Sequence, residues 1–540
     1  MLSTLLGEDK LDVIFLIHGG SFQEGFGYRH GPAYLLDEKN VVLVTLNYRL
    51  GILGFLSLQD DVLPGNMGLK DQLLGLKWVK TNIAAFGGDP NKVTLVGCSA
   101  GGASVHFHVL SSQSKGLFQK AVALSGTALN PWAVDRNPRA KTLRISAALD
   151  CPTDDSQAIV ECLRERPADL VTRQAELFVE YLVYDFMPVL PVIEKPHEAA
   201  FITKSPEEII RSGLANDVPF LVSYTDDDAL FASAEIFTNS SAIEELNANW
   251  DDLLPMLLSY RVSEENKHQV AQSIKHFYLA GKTIREAPRE LTKLFTERAL
   301  SIGIKETAKL HAEYYKSPVY SYIFTHTGGE RISDMYNHSD IYRGGAVHMD
   351  DLLYIFNTES VILKRTGDPR EDEMSKTMIE ILLKFIKESP VTGWRTVQSG
   401  LPHLVYLEVS GPDPNSNTFK TLTDDSAELF WKSLPIEENR DIPSLSEPTA
   451  NRTVESGCAR NCAAIFILSC HHLHYASYNW LCLFHCIALA AIAALIVSLV
   501  HGGIGLHLLF VDYKQAFDSI DKEKLRKNSV PDKLTRLARI

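Results

Sequence analysis

Cysteine is sparse, eight in 540 residues, too few for a disulfide scaffold to replace a hydrophobic core. Positive charge is in deficit: 53 Lys and Arg against 67 Asp and Glu leave a net charge of -14, which argues against a nucleic-acid-binding surface spread over the whole chain. Gly and Pro, 33 and 24, are too few for a collagenous or low-complexity polymer. No internal repeat is visible, and the first ten residues lack the basic start and apolar stretch of a secretory leader. Long apolar runs are missing too, with one exception. Residues 480–500, WLCLFHCIALAAIAALIVSLV, carry no formal charge and reach the length of a candidate membrane-spanning helix.

What is present is a body able to bury a core, with 45% hydrophobic residues and length for about three domains or one large α/β unit. From Leu11 to Pro435, short β-branched runs alternate with longer amphipathic stretches. Strands are expected at Val13–Ile17, Val41–Asn47, Val93–Gly97, Ala121–Leu124, Pro219–Tyr224, Val319–Phe324 and Leu404–Val409. Helices are expected at Leu69–Thr81, Ala100–Leu110, Ser156–Arg164, Thr292–Tyr315 and Met374–Ile386. Such alternation specifies a mostly parallel sheet covered by helices on both faces. Periodicity fades after Pro435, so residues 436–479 read as an irregular linker.

Chemistry concentrates at one strand-to-helix turn. Gly97-Cys98-Ser99-Ala100-Gly101 follows a strand and opens a helix, the context in which G-x-S-x-G lifts a Ser above a sheet edge as a nucleophile. A Ser needs a base and oxyanion donors. His18-Gly19-Gly20-Ser21-Phe22 ends the first strand, where the N–H groups of Gly20 and Ser21 can join that of Ala100 in an oxyanion hole. In the chain order Ser, acid, His, the acid falls among the three Asp of PFLVSYTDDDALF and the base is His348 in AVHMDDLLYIF.

These residues resemble the type-B carboxylesterases and cholinesterases of the α/β-hydrolase fold, insect esterases in particular. The motifs are HGGSF at 18–22, NYRLGILGFLS at 47–57, GNMGLKDQ at 65–72, NIAAFGGDPNKVTLVGCSAGG at 82–102, VHMDDLLYIF at 347–356 and FWKSLP at 430–435. The resemblance covers about Asp12 to Pro435. It implies an α/β-hydrolase body at 1–435 lacking the family's first strands and signal peptide. It also implies Ser99 as nucleophile, His348 as base, Gly20, Ser21 and Ala100 as oxyanion donors, and no cofactor or metal. The family's acid stands five places after a strand-ending Gly, whose place Ser223 takes, so the count reaches Asp228, with Asp227 as the alternative. Cys98 replaces the Glu of many relatives, which removes a charge that favours cationic substrates. Cys151 and Cys162 match a family disulfide, and Asn239, Asn337 and Asn451 head glycosylation sequons, so a secreted glycoprotein is expected.

His106 and His108 are expected in surface or packing roles, and the Cys/His cluster at 458–474 fits no metal-ligand spacing. Residues 501–540 resemble a reverse-transcriptase fragment centred on Asp512. With no second catalytic carboxylate segment after it, polymerase chemistry and a nucleic-acid partner are not expected. The expected function is hydrolysis of lipophilic, small-molecule carboxylic esters through an acyl-enzyme. The alternative is a silent adhesion protein of the same fold held by the 480–500 helix, a reading that the joint presence of Ser99 and His348 disfavours.

Overall fold

The computed structural model describes residues 10–38, 41–179, 181, 187–329, 332, 342–358, 368–401, 403–440 and 508–511. Its centre is a nine-stranded sheet: β1 (Leu11–Ile17), β2 (Val42–Leu46), β3 (Gly88–Cys98), β4 (Lys120–Leu124), β5 (Phe220–Thr225), β6 (Val319–Phe324), β7 (Leu404–Val409), β8 (Thr418–Leu422) and β9 (Leu508–Val511). The spatial order is β8-β7-β6-β5-β4-β3-β1-β2-β9. Pairing is parallel throughout except for the antiparallel β7–β8 edge.

All seven strands expected from the sequence are present. The β1 segment LDVIFLI shows why they form a doubly covered sheet. Val13, Phe15 and Ile17 enter the core on one face, while Ile14 and Leu16 enter the core on the other. A strand buried on both sides must read as a continuous apolar run, because neither set of alternating side chains meets water. The helices around the sheet include α1 (Met67–Asn82), α2 (Ala100–Leu110), α3 (Ser156–Glu165), α4 (Leu230–Thr238), α5 (Pro288–Phe295), α6 (Ile302–Tyr314), α7 (Pro369–Lys387) and α8 (Glu437–Arg440).

The helix expected at 292–315 is not continuous. A π-helical stretch, Thr296–Ser301, separates α5 from α6. Its irregular ladder leaves carbonyls for outside donors: Asn130 Nδ2 donates to Ala299 O and Leu300 O at 2.8 and 2.7 Å, and Trp132 Nε1 donates to Ala299 O at 2.7 Å.

The compact body also continues past the boundary expected at Pro435, running through Asn439. Ile436 is 1% exposed, and Asn439 Nδ2 donates to the carbonyls of Trp431 and Leu434. The same unit takes in β9, which lies within the segment expected to be a non-functional fragment and pairs with β2 from Leu43↔Leu508 to Leu46↔Val511. A second unit, Arg440–Leu506 with Tyr513–Ile540, lies outside the described residues apart from Arg440. Asn451, the Cys/His cluster and the 480–500 stretch therefore lie outside them, and Asp512 and Asn337 also fall outside the described residues. Among the described residues no helix is long and apolar enough to cross a membrane.

The chain lays β1 and β2 to one side, then returns to place β3 on the other side of β1 and proceeds outward. The order reverses at the β1/β3 junction, the place where open α/β sheets bind ligands beyond the carboxyl ends of their strands. The HGGSF loop leaves β1 and the Ser99 turn leaves β3 there.

Candidate active site

Ser99 caps α2 with φ 61° and ψ -126°, a conformation that non-glycine residues adopt only when their surroundings impose it. Here packing does so. Ser99 N donates to Leu124 O at 2.8 Å. A side chain on Gly101 would put its Cβ 2.1 Å from Ile17 O, so only glycine lets α2 start against the end of β1. The sharp turn places Ser99 in the lining of a cavity of about 910 Å3 that His348 also lines.

The HGGSF loop folds over the same point. Gly19 sits so near the turn that a Cβ there would lie 2.6 Å from Cys98 O, and Gly20, Ser21 and Phe22 follow with φ of 115°, 56° and 60°. Tyr48, from the NYRLG motif, fixes the loop by stacking on His18 with centroids 4.4 Å apart and by donating from its hydroxyl to His18 O at 2.9 Å. Burial lowers the His18 pKa to about 4, so that ring is neutral. Among the described residues, the N–H groups of Gly20, Ser21 and Ala100 have no acceptor.

The three consecutive Asp of the 226–228 run do different things. Asp228, fully buried after β5, places Oδ1 2.6 Å from His348 Nδ1. Its Oδ2 accepts from Ser125 Oγ at 2.7 Å and Thr225 N at 3.0 Å, and its own carbonyl accepts from His348 N at 3.1 Å. Asp227, the alternative acid, instead accepts from Tyr342 Oη and Gly345 N at 2.7 and 2.6 Å. Asp226 accepts from Ala346 N at 2.7 Å, and burial, with the Asp227 charge second, raises its carboxyl to about 6. Asp226 and Asp227 thus clamp the loop that carries His348, while Asp228 faces the imidazole. Phe231 of α4 packs against His348, its ring centroid 5.1 Å away.

The chain matches the carboxylesterase family over residues 5–431. It is 35% identical over 441 residues to a carboxylic ester hydrolase of Bombus ignitus, covering 80% of this chain and 78% of that one. To esterase FE4 of Myzus persicae it is 39% identical over 384 residues, 70% and 67% of the two chains.

The chain belongs to the carboxylesterase family.

It is a carboxylic ester hydrolase of the α/β-hydrolase fold. A solved structure of juvenile hormone esterase from Manduca sexta, with OTFP covalently attached, aligns with TM-score 0.69 and 27% identity over 80% of this chain and 82% of that one.

Three features of this carboxylesterase escape sequence reasoning. Ser125, which holds the far oxygen of Asp228, carries only the weak signal of a Ser-Gly pair after a strand. The clamping roles of Asp226 and Asp227 are hidden because the three Asp are chemically identical in sequence. Phe231 has no motif at all. His106 and His108 are packing groups, both fully buried: His106 Nε2 lies 3.0 Å from His311 Nε2, and His108 contacts Ser114 Oγ and Gln72 Oε1 at 2.8 and 3.2 Å. Burial lowers both pKa values, that of His108 to about 3. Cys151 and Cys162 form the expected disulfide, with 5.7 Å between Cα atoms, anchoring α3. Asn239 is exposed, and its Oδ1 accepts from the N–H groups of Ser241 and Ala242. Among the described residues no group of His, Cys, Asp and Glu is arranged to hold a metal ion.

Asp351, three residues after His348, is fully buried, and its Oδ2 accepts from Tyr322 Oη at 2.6 Å. Burial raises its carboxyl from 3.8 to about 6. The folded protein therefore keeps this proton up to about pH 6, while the unfolded chain releases it near 4. Stability falls as pH rises through that window, and the penalty is complete above it. Asp351→Asn should raise folding stability at pH 8 by up to ~3 kcal/mol and at pH 4 hardly at all. Thermal melts of both proteins across this range check it; a stabilisation independent of pH would contradict it.

Proposed function

We propose that this carboxylesterase cleaves neutral, lipophilic esters through an acyl-enzyme, with Ser99 as nucleophile, His348 as general base and Asp228 orienting the imidazole. One observation carries the reading: a Ser on a strained strand-to-helix turn and a His bonded to a buried carboxylate line one cavity. In the reaction His348 Nε2 takes the Ser99 proton as Oγ attacks the ester carbonyl. The N–H groups of Gly20, Ser21 and Ala100 receive the developing oxyanion, and His348 then protonates the departing alcohol. Water, activated by the same imidazole, hydrolyses the acyl-Ser99 ester. The relative of this fold that carries a covalently attached ligand supports a covalent route.

The cavity supports the substrate class. Trp132, Met187, Leu190, Phe231, Met256 and Phe295 contribute its apolar lining, and its volume lies near the upper end of small-molecule sites. The cations on its lining are paired, Lys141 with Asp135 at 3.0 Å, Arg136 with Glu438 at 3.0 Å and Arg261 with Glu437 at 3.5 Å, and of its carboxylates Glu24 pairs with Arg29 at 3.8 Å. Beside the nucleophile, Cys98 is fully buried and burial pushes its thiol pKa up, so it offers no negative charge to a cationic alcohol group. The disulfide supports action in an oxidising compartment.

A matched pair of substrates tests this. The neutral ester 3,3-dimethylbutyl butyrate should be hydrolysed with kcat/KM at least about tenfold above that of butyrylcholine, its cationic isostere. A preference for the choline ester would overturn the substrate assignment.

A further inference from the structure

Three separate segments contribute to the cavity lining: residues 131–137, residues 255–261, and the end of α5 with the π-helical stretch, which contributes Phe295, Ala299 and Leu300. The second and third meet at Arg298, and Glu438 ties the first to it. The Arg298 guanidinium is almost wholly buried, so it needs partners on every side. Nε donates to Leu258 O at 3.0 Å and a terminal nitrogen donates to Ser259 O at 3.2 Å. The Trp431 ring lies beneath the guanidinium carbon at 4.5 Å. The remaining partner is Glu438, which bonds Arg298 through Oε1 and accepts from Arg136 Nη1 at 3.0 Å through Oε2.

Glu438 sits on α8, outside the body expected from the sequence and not on the cavity surface. Its helix is nevertheless fixed to the same wall. Ile436 is buried in the core, and Glu437 N donates to Arg261 O at 2.9 Å. One carboxylate therefore bridges a buried Arg on the π-helical stretch and a half-exposed Arg on the 131–137 segment, two walls more than 160 residues apart in sequence.

We propose that Glu438 is a positioning residue that sets the shape of the ester pocket, by holding the Arg298 wall and the Arg136 wall in register so that bulky acyl or alcohol groups fit. This rests on the esterase reading above. Small esters, which engage only the nucleophile and the oxyanion donors, do not depend on that register. Large ones do, because a displacement of about 1 Å in a positioning wall changes binding geometry strongly.

The test compares 4-nitrophenyl acetate with 4-nitrophenyl decanoate on the full chain, with rates normalised to organophosphate-titrated sites. Glu438→Gln should raise KM for the decanoate about tenfold while changing kcat for the acetate less than about twofold, and Glu438→Asp should recover part of the loss. Arg136→Met cuts the outer arm without stranding the buried guanidinium, so it remains informative where Glu438→Gln does not fold; it should shift selectivity in the same direction by a smaller factor. Equal losses on both esters, or no change on either, would overturn the proposal. Absence of any titratable site in the unaltered chain would instead overturn the esterase mechanism itself.

Discussion

Replacing Ser99 with Ala should lower kcat for a neutral aryl ester by on the order of 10^4- to 10^6-fold while KM changes little. The reason is that the substitution removes a single oxygen from the cavity lining and leaves the walls in place. Ala is close in size to Ser, the turn is enforced by Gly101 against Ile17 O and by the Leu124 hydrogen bond, and substrate binding belongs mainly to the apolar lining. Residual hydrolysis would come from the oxyanion donors and bound geometry alone. Steady-state rates of the two proteins at matched concentrations of folded enzyme check this; a loss below about tenfold would mean that hydrolysis does not pass through Ser99.

The second large effect is expected at Asp228. Asp228→Asn should reduce kcat by about 10^4-fold. The Nδ1–H of His348 donates to Asp228 Oδ1, which leaves Nε2 free to accept the Ser99 proton. An amide there can present a donor to Nδ1, stabilising the wrong tautomer and withdrawing the negative charge that favours the imidazolium. Asp227→Asn should cost far less, because its carboxylate holds Tyr342 and Gly345 and does not contact the imidazole. Parallel pH–rate profiles of the two variants separate these roles. Equal losses would place the acid elsewhere in the 226–228 run.

Much of the fold and of the candidate site is legible in the sequence. Periodicity located seven of the eight strands that pair in parallel, β1 to β7, since a strand buried on both faces has no choice but to be apolar along its length. The G-x-S-x-G turn announced itself through glycines that packing requires. The count from Ser223 reached Asp228, whose carboxylate meets the His348 ring, and not its neighbour Asp227. Other features lacked a local signal. The amphipathic pattern at 292–315 is the same for one helix and for two joined by a π-helical stretch, because the difference lies in which distant side chains, Asn130 and Trp132, take the spare carbonyls. The antiparallel β8 is an edge strand whose side chains are largely exposed, so it shows no apolar run. Residues 436–439 look like linker by composition, and their place in the body depends on tertiary partners at Arg298, Arg136 and Trp431.

The proposed mechanism requires that one serine carry the acyl group. Its most direct measurement is mass spectrometry of the protein after inhibition by an organophosphate, with the adduct mapped to a peptide. One phosphoryl adduct per folded molecule is expected, on Ser99 in VTLVGCSAGGASVHF, formed in parallel with loss of esterase activity and absent from Ser99→Ala. Full inhibition with the adduct on another residue, or esterase activity that survives stoichiometric modification of Ser99, would contradict it.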